Sequence, residues 1–204
     1  MTTPSVTVIR GNPPVSVDDA RLLLRRLAEI AGAGRTWAVI AELASPAGLT
    51  ENQRVVEHDL LGRLAVRLAV DKTLCVGDSR SVHALHQGAV MEGSWGDEAR
   101  IVASADEAAG LADTDPDWRP AAGDVILLAT ATADLDAVVS AWSEHGGMAG
   151  RRCGDRRGVG AMNGGTTIGT AMPYRRGAQD GFGGTIVVED RIPVGYGEDA
   201  GATR

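Results

Sequence analysis

The chain has 204 residues and a formal net charge of −7, which is room for one domain of ordinary size plus an appendage and argues against a general nucleic-acid binder. No run of about 20 apolar residues is present, which argues against a membrane helix, and the two cysteines, Cys75 and Cys153, cannot make a disulfide framework and suit a reducing compartment. Lys72 is the only lysine, so any chemistry that needs an ammonium must use it.

In chain order, Val6-Thr7-Val8-Ile9 reads as a strand ended by Gly11-Asn12-Pro13-Pro14. Ser16 is a candidate N-cap, with Asp18 and Asp19 in the first turn of a helix. That helix runs to about Ala31 and puts Val17, Ala20, Leu24, Leu27 and Ala31 on one face; Gly32 and Gly34 stop it. Trp37 to Leu43 is an apolar run broken only by Glu42, the pattern of a strand buried on both faces. A loop, Ser45-Pro46-Ala47-Gly48, leads to Thr50-Glu51-Asn52-Gln53, a capping box. The helix it starts reaches about Ala69, with Val56, Leu60, Leu64 and Leu68 expected inward. Thr73 to Val76 is a third strand ended by Gly77-Asp78, and Ser79 or Ser81 starts a helix through about Met91. Arg100 to Ala103 is a weaker strand, Ser104 caps a short helix, Val125 to Leu128 is the last strong strand, and Asp134 to Trp142 closes the pattern.

The composition changes near His145. No leucine follows Leu135, more than half of the glycines lie beyond His145, and that segment is slightly basic. It buries little apolar area per residue and bears the entropy cost of ordering glycine. The expected division is a domain over residues 4–144 and a Gly-rich extension over 145–204. Within the extension, Gly184 to Val188 is the best strand. It either binds a partner or adds to a sheet edge, or it belongs to a poorly ordered tail.

Strands alternating with helices through short connections predict an α/β, Rossmann-like, mainly parallel sheet with helices on both faces. Such sheets bind ligands outside the C-terminal ends of their strands. Here those ends bring forward Arg10, Asn12, Glu42, Ser45, Asp78 and Ser79 as candidate substrate-binding residues. An arginine meets a carboxylate, an asparagine offers an amide pair, and a glutamate meets an amine, so the set suits a small amino acid or dipeptide. Against it stand two plain readings: Asn12 caps the turn before Pro13, and Glu42 is a strand-end charge in water.

Other motifs carry less. Lys72-Thr73 follows Asp71 without a glycine loop, so no phosphate loop is present and no nucleotide cofactor is expected on this chain alone. His83 and His86 share a helix face but lack an apparent third ligand and read as solvated. His58 reads as a half-buried helix residue. The glycine clusters and arginine pairs of the extension do not join a strand to a helix and read as loop and solvated charge. The start, Met1-Thr2-Thr3-Pro4, shows no signal peptide pattern, which gives a cytoplasmic expectation.

Several blocks, in order, resemble the C-terminal domain of Mur ligases. They are Asn12-Pro13 between strand and helix, Gly34-Arg35 before Trp37–Leu43, Glu57-His58 before Leu61-Gly62-Arg63, Val70–Gly77, and Gly123-Asp124-Val125-Ile126-Leu127-Leu128. The resemblance covers about residues 5–142. It is nearest to the ligases that add D-alanyl-D-alanine to UDP-N-acetylmuramoyl-tripeptide. Thr7 stands where that family has an acidic residue, Ile9 and Arg10 replace its Tyr and first Asn, and Ala129–Ala133 lacks its Lys and Arg. The resemblance implies a domain that closes over ATP and holds the incoming amino acid or dipeptide, while a separate ATPase domain forms an acyl phosphate. It therefore implies a Mur-like ATPase subunit as partner, with ATP and Mg2+ present only when that subunit supplies them. The alternative is a non-catalytic interaction module or the remnant of a truncated ligase.

Overall fold

The structure, a computed structural model, describes residues 5–94, 96–132, 135–145 and 188–193. Among these, five strands run parallel in one sheet: β1 (Ser5–Arg10), β2 (Thr36–Ile40), β3 (Lys72–Val76), β4 (Ala99–Val102) and β5 (Val125–Ala129). A sixth, β6 (Val188–Pro193), pairs antiparallel with β1 along its whole length and sets the order β4-β3-β2-β5-β1-β6. Between the strands lie α1 (Val17–Ile30), α2 (Glu51–Arg67), α3 (Arg80–Glu92), α4 (Ala105–Thr114) and, after β5, α5 (Asp136–His145). The predicted Rossmann-like α/β fold is therefore the observed one.

Alternation along each strand divides the core into two layers. One layer joins Ile9, Ala38, Ile40, Cys75 and Leu127 to α1, α2 and α3. The other joins Val8, Trp37, Val39, Leu74 and Leu128 to α4, α5 and Trp118. Every residue of β2 and of β5 is buried, as a central parallel strand covered on both faces requires.

The two predicted caps are built as read. Ser16 accepts from the Asp19 N–H while Asp19 reaches back, and Thr50 and Gln53 do the same for α2. Ser79, not Ser81, caps α3. The α1 face is nearly as expected, with Val17, Ala20, Leu23, Leu24 and Leu27 buried, but Ala31 is an exposed cap outside the helix.

The inward face of α2 differs from the one predicted. Val56 and Leu60 are 54% and 47% exposed, Leu64 and Leu68 pack half-buried at the core's margin, and His58, Leu61, Gly62 and Ala65 are the buried residues. His58 is wholly buried, not half-buried. The cause is backbone contact between helices. A Cβ on Gly62 would lie 1.9 Å from the Leu85 carbonyl oxygen, and one on Gly88 would lie 2.1 Å from that of Asp59. Two glycines facing each other let α2 and α3 approach this closely, and that approach rotates α2 about its axis. Beyond them, Arg67 and Arg63 both reach Glu92, and Arg67 holds the Glu92 carboxyl below the usual carboxylate range.

The sequence placed a strand over Gly184–Val188, whereas the described strand is Val188–Pro193; residues 184–187 lie outside the described residues. Its sequence, Val-Glu-Asp-Arg-Ile-Pro, carries the charges and proline that an edge strand tolerates, which hides it from a search for apolar runs. The extension's cysteine, arginine pairs and glycine clusters also lie outside the described residues.

At the N-terminal ends of the central strands, the Asp124 carboxylate is 2% exposed and fully employed. It accepts from the Arg35 N–H at 2.8 Å, the Ala121 N–H at 2.9 Å and the Trp37 Nε1–H at 2.9 Å. The Arg35 guanidinium stands 3.1 Å away. Asp124→Ala would leave those donors buried and unpaired. We expect a loss of about 3–5 kcal/mol in urea unfolding, with the slope against denaturant unchanged. Gly88→Ala must push backbone against backbone, and a loss of about 1–3 kcal/mol is expected by the same measurement.

Candidate functional site

The C-terminal ends of β1, β5, β2 and β3 open between interlocked loops. Gly11 N–H donates to Leu128 O at 3.2 Å and Val15 N–H to Thr130 O at 3.0 Å. Ala44 N–H donates to Val15 O at 2.8 Å, and Ala131 N–H to Glu42 O at 2.7 Å. The loops after β1, β2 and β5 thus continue the sheet's hydrogen bonding past the strand ends. Side chains on them are carried on fixed backbone.

Arg10, the last residue of β1, donates through Nε to Asp136 at the start of α5 at 2.5 Å. Arg10, Asp136, Gly11, Pro13, Thr130 and Leu135 line a cavity of about 90 Å³ with Leu128. Asn12 is exposed on the next loop, and its side chain has no hydrogen bond to another described residue, so it does not cap the turn. Glu42 is half-buried just past β2, and Ser79 Oγ–H donates to its carboxylate. Ser79 Oγ also accepts from the Val82 N–H at 3.2 Å, so one hydroxyl both caps α3 and fixes Glu42. Ser45 is half-buried on the β2 loop without a described side-chain partner. Asp78 is exposed and faces His83 Nε2 at 3.0 Å.

Four of the six residues fall into three places on one edge of the sheet, while Asn12 and Ser45 lie on the loops after β1 and β2. Glu42 and Ser79 are in contact. Arg10 lies two strands from Glu42, across β5, roughly 10 Å by sheet spacing. Asp78 turns outward to α3.

A larger groove of about 600 Å³ lies between α2 and α3, lined by Val55, Val56, Asp59, Arg80, His83 and Gln87 among others. His83 is exposed at its edge, as expected. His86 is half-buried, and burial lowers its pKa, disfavouring its charged form. Among the described residues no cluster of three or more His, Cys, Asp or Glu could hold a metal ion. Cys75 is buried in β3, where burial raises the thiol pKa, so it does not act as a thiolate. No helix of the described residues is long and apolar enough to cross a membrane.

Sequence reasoning missed two residues at this edge. Asp136 and Thr130 read as helix start and strand end, and only the pairing of β5 with β1 brings them to Arg10. Arg54, in the first turn of α2, is half-buried, and its Nε has no hydrogen-bond partner.

No protein-family model matches the chain. Over 135 residues it is 44% identical to the UDP-N-acetylmuramoyl-tripeptide--D-alanyl-D-alanine ligase of Mycobacterium leprae, an alignment covering 60% of this chain and 25% of that protein. Over 150 residues it is 41% identical to the proteins of the same name from Mycobacterium bovis and Mycobacterium tuberculosis, covering 67% of this chain and 28% of each. The chain spans about a quarter of the length of these curated relatives. The resemblance read over residues 5–142 is thus a similarity to Mur ligases, consistent with their C-terminal domain.

Because one hydroxyl serves both α3 and Glu42, Ser79→Ala is expected to cost about 1 kcal/mol in chemical denaturation, the usual loss for an N-cap. Ser79→Asp keeps an acceptor for the cap but sets a like charge against Glu42, and is expected to recover less than the full loss.

Proposed function

We propose that this chain, similar over most of its length to part of a UDP-N-acetylmuramoyl-tripeptide--D-alanyl-D-alanine ligase, is the closing and substrate-holding domain of a Mur-type peptide ligase. It works against an ATPase domain that supplies the phosphate loop, ATP and Mg2+. The observation that carries this reading is the identity of 40–44% to ligases of which the chain matches about a quarter. No glycine–lysine phosphate loop occurs in its sequence, so nucleotide activation falls to the other domain. ATP bound there activates an acceptor carboxylate, and this chain's residues orient the incoming amine.

In this reading the strand-end loops are the holding surface. Glu42, fixed by Ser79, keeps oxygen lone pairs for the ammonium of a small amino acid or dipeptide. Asn12 offers an exposed amide on the loop after β1, and Ser45 a hydroxyl beside Glu42 in the chain. Arg10, with Asp136, forms the far wall, and Asp78 the outer rim beside α3. Holding the nucleophile in a fixed orientation is the largest contribution such a domain can make, because it converts a bimolecular attack into one within a complex.

The test is binding and stimulation. The chain alone is expected to hydrolyse no ATP. Arg10→Ala and Glu42→Ala should melt within a few degrees of the parent, since exposed or half-exposed charges contribute little to stability. They should lose D-alanyl-D-alanine binding in calorimetric titration, and lose stimulation of a Mur ligase ATPase domain. Variants that bind and stimulate like the parent would remove the site from this edge and favour a non-catalytic interaction module.

A further inference from the structure

Among the described residues five large apolar side chains are exposed, and all five lie on one helical layer. Leu22 is on α1, Val56 and Leu60 are on α2, and Val90 and Met91 are on α3. The described residues of α4 and α5, which cover the other face of the sheet, include none. α2 is the middle helix of the three. Arg21 of α1 pairs with Glu57, next in the chain to Val56, and Arg63 and Arg67 reach Glu92 of α3, next to Met91. Ion pairs thus close both seams of the layer and leave the apolar side chains outside them. Exposed apolar groups gathered on one face and rimmed by polar ones mark an interaction surface.

The charge of this layer selects its partner. α1 and α2 each carry three carboxylates and three arginines, and α3 carries one of each, so every helix of the layer is neutral. α4 and α5 carry five carboxylates and no lysine or arginine, and the chain as a whole is at −7. A strongly charged partner is not drawn to a neutral face. A two-fold interface sets one patch against its own copy, so the patch must be free of net charge and complementary to itself. The α1–α3 layer is neutral, with both signs interspersed, whereas copies facing each other through α4 and α5 would repel. Shape agrees. The groove of about 600 Å³ between α2 and α3 is lined by Val56 and Gln87, and the exposed Leu60 and Met91 stand one helical turn along α2 and α3 from them, about 6 Å at 1.5 Å per residue. A concavity and a pair of projections side by side are what a two-fold axis through the middle helix can interlock.

We propose that the outer face of α1, α2 and α3 is a self-association surface, and that its occupant is the same face of a second copy of this chain, packed about a two-fold axis near α2. The surface lies on the helices and not on the strand-end loops, so the proposal does not depend on the substrate-holding reading. The test is sedimentation equilibrium of the full chain, of Leu60→Asp and Met91→Asp, and of Asp106→Asn on α4. The parent should be dimeric at about 100 µM, within reach of interfaces of ordinary size. Leu60→Asp and Met91→Asp should each weaken the dimer at least about tenfold, the effect of setting an unpaired charge in an apolar contact. Because both substituted side chains are exposed in a single copy, each variant should unfold in urea with the parent's slope at a concentration where both are monomeric. Asp106→Asn should associate like the parent. Raising the salt to about 1 M should leave the dimer intact, since apolar contact is not screened. A parent that is monomeric at about 100 µM overturns the proposal, and so does a dimer that survives both Leu60→Asp and Met91→Asp or that salt dissolves. If the parent is monomeric but binds a Mur ligase ATPase domain, and Leu60→Asp does not, the face belongs to that domain and the second copy is ruled out.

Discussion

The fold depends on one buried carboxylate. Asp124 gathers the Arg35 and Ala121 backbone N–H groups and the Trp37 indole N–H, with the Arg35 guanidinium beside it. Arg35 is thereby fixed over the Trp37 ring, 4.8 Å from its centroid, and donates to the Arg119 carbonyl at 2.7 Å. Trp37 in turn packs against Trp118 and Trp142, each 5.8 Å away between ring centroids. A charge so far from water is tolerable only with every lone pair used. Those partners come from the segments that start β2 and β5, so satisfying Asp124 registers these two central strands. The close approach of Gly34 to Gly123, where a Cβ on Gly34 would lie 2.1 Å from the Gly123 carbonyl oxygen, is part of the same joint.

The register set at that end determines what meets at the other. β5 lies between β1 and β2, pairing Arg10 with Leu128 and Ile40 with Ala129. The three loops that follow these strands then bond to one another through backbone groups alone, including a bridge between Ser16 and Ala44. Backbone bonding leaves the side chains of Asn12 and Ser45 available and that of Glu42 tied to Ser79, while holding their Cα positions. This is the arrangement a substrate-orienting surface needs, because affinity and rate are lost when the holding groups must first be ordered.

The helix layer shows a different division of labour. Gly62 and Gly88 bring α2 and α3 together backbone to backbone, which turns Val56 and Leu60 to solvent and His58 inward.

Much was legible in the residues taken singly or in short runs. The caps at Ser16, Thr50 and Ser104, the doubly buried strand over Trp37–Ile40, and the alternation of strand and helix are local facts, written in hydrogen-bonding capacity and hydrophobic period, and the structure keeps them. The resemblance to Mur ligases was likewise carried by short blocks in order. What the sequence did not contain was the pairing of distant segments. The union of Arg10 with Asp136, 126 positions apart, the turn of α2 and the addition of β6 to β1 each depend on contacts between elements. The sequence by itself determined the elements, their order and the end of the sheet where Arg10, Glu42 and Ser79 lie, because those follow from periodicity and turn chemistry within a few residues. Only the tertiary structure decided which charges at that end are already spent and which are open, because a side chain is neutralised by whatever the fold brings within about 4 Å of it, and no local pattern encodes that distance.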